Sequence, residues 1–155
     1  MRGTVAKFLI GLSITAIGMF GADGFLGTWR LNVAKSKSTT TNPIKSRIEV
    51  FEETADGGVR VTRTEQRAEG ATRNYSFTYK YDGKEYPVNG APFDTISAKR
   101  IDAKTTVTET KKTGGPYHQI SRYVYSTDGK TKTASVSGPD STGNNVVSTY
   151  VYDKQ

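Results

Sequence analysis

Hydrophobic and polar positions alternate along most of this chain, in short runs separated by glycine. The clearest run sets Tyr75, Phe77, Tyr79 and Tyr81 against Asn74, Ser76, Thr78 and Lys80. That period of two belongs to a strand with one face turned to a core. The same period sets Val59 and Val61 against Arg60 and Thr62, and Ile48 and Val50 against Arg47 and Glu49. Phasing each strand by its apolar residues puts the valines and Ile48 on the core side. The last run is apolar on both faces, with Val147 and Val151 on one and Val146, Tyr150 and Tyr152 on the other. It is expected to be covered on both sides, or to lay its tyrosines flat on the outer surface.

The extended segments predicted in this way are 28–33, 47–53, 59–67, 73–81, 85–88, 95–102, 105–112, 117–126, 131–137 and 146–153. Between them stand Asp56-Gly57-Gly58, Asp82-Gly83-Lys84, Gly114-Gly115-Pro116, Asp128-Gly129-Lys130 and Gly143-Asn144, residues that accept the positive φ of tight hairpins. A polar stretch at 34–46, with Pro43 and three threonines, is read as a loop. Roughly ten strands at about 10–12-residue spacing, with no sustained helical period, predict an all-β antiparallel up-and-down barrel with little or no helix. Closure also removes the exposed edges of a free sheet.

The first 22 residues do not fit this pattern. Arg2 and Lys7 precede an uncharged apolar run from Phe8 to Phe20, and Gly21 and Ala22 follow. This reads as a secretory signal peptide cleaved between residues 22 and 24, leaving 25–155 as a single barrel domain. The run is short of the about 20 residues of a membrane span. With no cysteine in the chain, disulfides, thiolate metal sites and a lipid-bearing N-terminal Cys are excluded. The expected location is periplasmic or extracellular, with no stable membrane insertion of the mature chain.

Composition narrows the class further. Only 34% of residues are hydrophobic, so nine Tyr and one Trp must supply much of the core. The net charge of +7 includes Arg2 and Lys7 of the leader. The remaining Lys and Arg are interleaved with acids, without a basic run or a nucleic-acid motif, so nucleic acid is not an expected partner.

The segment Phe25-Leu26-Gly27-Thr28-Trp29-Arg30-Leu31, a Gly-x-Trp opening a meander of hairpins, resembles the calycin group of lipocalins and fatty-acid-binding proteins. The mature chain is also similar to small exported bacterial lipocalin-like proteins. It shares Gly27 to Lys37, Asp94 to Asp102, Asp128-Gly129-Lys130-Thr131 and the ending Val151-Tyr152-Asp153-Lys154. The resemblance implies a barrel with Trp29, after Gly27, closing one end. The chain departs from lipocalins in having no Arg within 144–155 and no helix after its last strand. It departs from fatty-acid-binding proteins in that 34–46 is too short and Thr-rich for their two-helix lid.

Several side chains are candidates for chemistry. Trp29 is expected as a plug at the barrel base, burying about 150–250 Å², rather than as a cavity wall. Apolar phasing places Arg63 with Val59 and Val61, Arg100 with Ile96 and Ala98, and Arg122 with Ile120 and Val124. Three inward guanidiniums suit an anionic head group, with Tyr75, Phe77 and Tyr79 against its apolar part. The alternative puts each arginine at a wet strand end, paired with Glu65, Glu109 or Asp102, because a one-residue register error reverses every side chain. A lone His118 makes no metal site, no nucleophile elbow is present, and no phosphate-binding glycine loop appears. Neither a cofactor nor a metal is expected.

The leading expectation is a non-enzymatic exported barrel holding a small amphipathic, hydrophobic or anionic ligand. The alternative is a solid barrel acting through its outer face, with Tyr150 and Tyr152 as contacts.

Overall fold

The computed structural model describes residues 24–155, so the predicted leader lies outside the described residues. The strands are β1 (Gly27–Ser38), β2 (Ile44–Glu53), β3 (Val59–Arg67), β4 (Arg73–Tyr79) and β5 (Asp82–Pro87). They continue as β6 (Thr95–Asp102), β7 (Thr105–Lys111), β8 (His118–Tyr125), β9 (Thr131–Pro139) and β10 (Asn145–Lys154). Among the described residues there is no helix. All ten strands form one antiparallel sheet in which each pairs with its neighbour in sequence, except that β4 and β5 are the two edges and β1 pairs with β10. The meander therefore closes into a barrel with one seam, between β4 and β5.

Side chains decide two details of this closure. The stretch read as a loop after Val33 continues β1 as far as Ser38. Ser36 Oγ accepts from Val151 N at 3.0 Å, and Thr39 Oγ1 accepts from Val147 N at 3.0 Å. The Ser36 hydroxyl carries the pairing across a register shift between Asn32 and Lys37, and that of Thr39 extends it past Ser38. Gly138, at φ +123°, lies against β8 so closely that a Cβ would stand 2.2 Å from the His118 carbonyl oxygen; only glycine fits there.

One barrel end is sealed. Trp29 is 0% exposed, and its Nε1 donates to the Phe25 carbonyl at 3.1 Å. Tyr125 meets Phe25 at 4.2 Å and Trp29 at 5.5 Å, ring centre to ring centre. Lys154 Nζ stands 5.3 Å from the centre of the Trp29 ring. Gly27 (φ +104°) makes room for this lysine, since a Cβ there would touch its Cε at 3.1 Å. The opposite end opens between loops 39–43, 88–94 and 140–144.

The interior phase agrees with the apolar pattern in β3, β4, β6 and β9. In β2 it is reversed: Arg47, Glu49 and Phe51 are buried, while Ile48 and Val50 are only half-buried. The charged pair turns inward because the interior supplies partners for it, and β-branched residues tolerate the outer face. β8 also differs from expectation, with Ile120, Arg122 and Val124 on the exposed outer face and Ser121, Tyr123 and Tyr125 inward. In β10, Tyr150 and Tyr152 are buried and Val147 is 63% exposed, so these tyrosines are not outer-surface contacts. No helix among the described residues is long and apolar enough to cross a membrane.

Candidate functional site

Between the sealed base and the open end lies a cavity of about 260 Å³, at the lower edge of the roughly 300–1,000 Å³ of small-molecule sites. One wall is aromatic. Tyr75, Phe77 and Tyr79, alternate residues of β4, hold their rings within 24° of parallel at 6.2 and 6.1 Å spacing. Phe93, from the loop between β5 and β6, sets its edge against Phe77 at 5.4 Å and Tyr75 at 6.4 Å. It thus fills the seam where backbone pairing is missing. The wall from β7 and β8 is polar: Thr106, Thr108 and Thr110 face inward with Gln119 and Ser121. Thr108 and Ser121 are a direct cross-strand pair.

Charged side chains occupy the floor and the β2–β3 wall. Glu49 and Lys132 are fully buried, with Lys132 Nζ donating to Glu49 Oε2 at 2.6 Å. The ammonium sits in a box of rings, 4.1 Å from Phe51, 4.6 Å from Tyr152, 5.2 Å from Trp29 and 5.6 Å from Tyr123, measured to ring centres. Arg63 Nη2 approaches Glu49 Oε1 at 2.8 Å and its Nη1 donates to Tyr75 OH at 3.2 Å. Among the described residues, Arg63 Nε and Glu49 Oε1 find no aligned hydrogen-bond partner. Arg47 donates to Glu65 Oε2 at 2.8 Å and to Tyr152 OH at 2.9 Å, while Arg67 donates to Glu65 Oε1 at 2.6 Å.

These neighbours set the protonation states. Burial alone would raise the Glu49 carboxyl, but Lys132, Arg63 and Arg47 outweigh it and hold it at about 2. Glu65 is likewise held at about 2 against its burial, by Arg47, Arg67 and Arg63. Lys132 moves the other way, to about 8, because burial and the two arginines exceed what Glu49 returns. Four cations, Arg47, Arg63, Arg67 and Lys132, thus surround two carboxylates in the described interior. Among the described residues no cluster of three or more His, Asp or Glu is placed to hold a metal ion.

Of the residues singled out in the sequence, Arg63, Tyr75, Phe77 and Tyr79 meet in this cavity. Arg100 does not: its guanidinium covers Phe25 at 4.4 Å and Tyr81 at 5.3 Å, at the sealed end. Arg122 lies on the outer face, because the apolar residues that phased it, Ile120 and Val124, themselves face outward. Trp29 and Gly27 stand at the sealed end and not in the cavity wall. His118 Nε2 lies 2.6 Å from Glu109 Oε1, both at the surface of the barrel. The sequence reading missed Arg47, Glu49 and Lys132, and named Glu65 only as a partner for an arginine at a wet strand end; in the structure Glu65 pairs with Arg47 and Arg67. For two of these a signal was present: Glu65 continues the phase of Val59, Val61 and Arg63, and Lys132 that of Ala134 and Val136; Arg47 and Glu49 lie against the apolar phase of β2.

No protein-family model and no curated protein matches the chain. Solved structures do. The fluorescent protein UnaG superposes with a TM-score of 0.57 at 11% identity, over 84% of this chain and 97% of that one. A Schistosoma mansoni fatty acid binding protein in complex with arachidonic acid gives 0.55 at 14% identity, over 86% and 97%. The S-type phycobiliprotein lyase CPES from Guillardia theta gives 0.59 at 11% identity, over 88% and 90%. At these identities the shared property is architecture: this chain has a calycin-like barrel fold, nearly closed and built from ten antiparallel strands.

Proposed function

We propose that the protein is an exported, non-enzymatic carrier that holds a small amphipathic anion in its barrel. The observation that carries this reading is the interior excess of cations over carboxylates. Uncompensated charge away from bulk water is costly, and an anionic head group entering beside Arg63 and Arg47 neutralises it with charge-assisted bonds. The aromatic wall of β4 then receives the apolar part of the guest. The fatty acid bound in the Schistosoma mansoni structure is a guest of this general kind on the same fold. The leader pattern of Arg2, Lys7 and Phe8–Phe20 supports export.

The test is native mass spectrometry of the protein purified from its exported fraction, repeated after denaturation. A small acid released on unfolding is the expected result. Absence of the protein from that fraction refutes export. In parallel, the purified protein is titrated with the fluorescent anion anilinonaphthalene sulfonate. Replacing Arg63 with Met weakens binding by roughly tenfold or more, the loss of one charged hydrogen bond, whereas Arg122→Leu, on the outer face, leaves it unchanged. Equal effects of the two variants, or no uptake of the anion at all, refute interior carriage.

A further inference from the structure

Resting on the carrier reading, we infer that the guest is a compact planar aromatic acid with a polar far edge, and not an aliphatic chain. Three independent features of the cavity point to this class. First, the rings of Tyr75, Phe77 and Tyr79 follow one another at 6.2 and 6.1 Å and make a continuous aromatic wall across two strand steps. Aromatic faces prefer another ring in offset or edge contact, and Phe93 already supplies an edge at one side. Second, the wall from β7 and β8 is not apolar. The Thr108 and Ser121 hydroxyls line the cavity and carry no hydrogen bond to another described residue. An alkyl chain laid against them would remove their water and return nothing. A ring bearing a hydroxyl or carbonyl at its edge satisfies them. Third, the space is about 260 Å³, which suits one or two fused rings better than a long flexible chain.

The charges order the guest. Arg63 stands 5.7 and 5.6 Å from the Tyr75 and Phe77 ring centres, so one side chain borders both the aromatic surface and the cationic corner. A carboxylate on an aromatic ring meets Arg63 while its ring continues over Phe77 and Tyr79. The edge opposite the carboxylate then faces β7 and β8.

The experiment is calorimetric titration of the full exported protein with four acids: 2-naphthoate, 6-hydroxy-2-naphthoate, octanoate and dodecanoate. The expected order places both naphthoates about fivefold or more ahead of octanoate, the share of ring contact. 6-hydroxy-2-naphthoate leads, and the Thr108→Val, Ser121→Ala double variant removes its lead without weakening 2-naphthoate. Lengthening octanoate to dodecanoate gains under tenfold in all. A cavity lined for alkyl chains would instead gain roughly fourfold per added methylene. Dodecanoate binding more tightly than either naphthoate overturns the aromatic assignment and leaves carriage intact. A hydroxyl advantage that survives in the double variant overturns the role of Thr108 and Ser121. Failure of all four acids to bind overturns the carrier reading, and this inference with it. Replacing Phe77 with Leu, which keeps an apolar core residue there, narrows the naphthoate-to-octanoate ratio; an unchanged ratio places the ring elsewhere and overturns the proposed pose.

Discussion

Glu49→Gln is the sharpest probe of the ionic interior. The carboxylate is fully buried and serves two cations at once, Lys132 at 2.6 Å and Arg63 at 2.8 Å. The amide keeps its shape and removes its charge. Lys132 limits its own share of the damage: held at about 8 in the intact protein, it releases its proton once Glu49 no longer holds it there. At pH 7 that limit is about one unit, or ~1.4 kcal/mol. Arg63 has no such exit, because a guanidinium stays charged, and it carries the rest of a total near 3–5 kcal/mol, the usual cost of breaking a buried ion pair from one side. Lys132→Met is the control. It leaves Glu49 with Arg63 and Arg47, and an unbranched thioether fits the ring box of Phe51 and Tyr152. Its cost is expected within about 1 kcal/mol, or even a gain, since buried pairs replaced by apolar groups are often neutral. Urea unfolding at pH 7 measures both. A Lys132→Met variant as damaged as Glu49→Gln, or a Glu49→Gln loss below about 1 kcal/mol, refutes the view that Glu49 is the shared anchor.

Three further predictions concern the same interior and its base. Glu49 and Glu65 are held at about 2 against an ordinary 4.5, so the folded state binds their protons less tightly than the unfolded one. Their stabilisation is complete above about 4.5 and is lost as the pH falls toward 2; Lys132, depressed from 10.5 to about 8, adds stability as the pH rises between those values. Urea midpoints against pH read both limbs, and a flat acid limb would sink the ionic account. Trp29→Ala opens the sealed base and is expected to cost about 3–5 kcal/mol, read by chemical denaturation. As the only tryptophan, Trp29 should also give blue-shifted emission that iodide does not quench; ready quenching contradicts a sealed end.

The legible and illegible parts of the site divide along one physical line. In β4 every second residue is aromatic, and burying three rings outweighs burying Asn74, Ser76 and Thr78, so the alternation alone identifies the inner face. β8 carries Ile120 and Val124 on one face and Tyr123 and Tyr125 on the other, and the sequence offers two comparable phases. The structure takes the one that buries the tyrosines, because rings bury more area than β-branched chains and Tyr125 completes the base with Phe25 and Trp29. Arg122 follows its neighbours outward. In β2 the choice goes against hydrophobicity altogether. Arg47 and Glu49 turn inward because Glu65, 18 residues on, and Lys132, 83 residues on, are waiting for them. No local pattern announces a partner at that distance.

Alternation and turn residues, read without any coordinates, establish the strand count, the hairpin turns and the all-β meander, and the lack of cysteine excludes disulfides. Each depends on near neighbours: alternation within a strand, and φ-permissive residues between strands. Which arginines face the cavity, where the barrel is sealed and where its seam lies are settled by the packed fold. Burying a charge is favourable only when its counter-charge arrives from another strand, and sealing the base requires Tyr125 of β8 to meet Phe25 and Trp29 from the start of the barrel. Those are long-range pairings, and they exist only once the sheet has closed on itself.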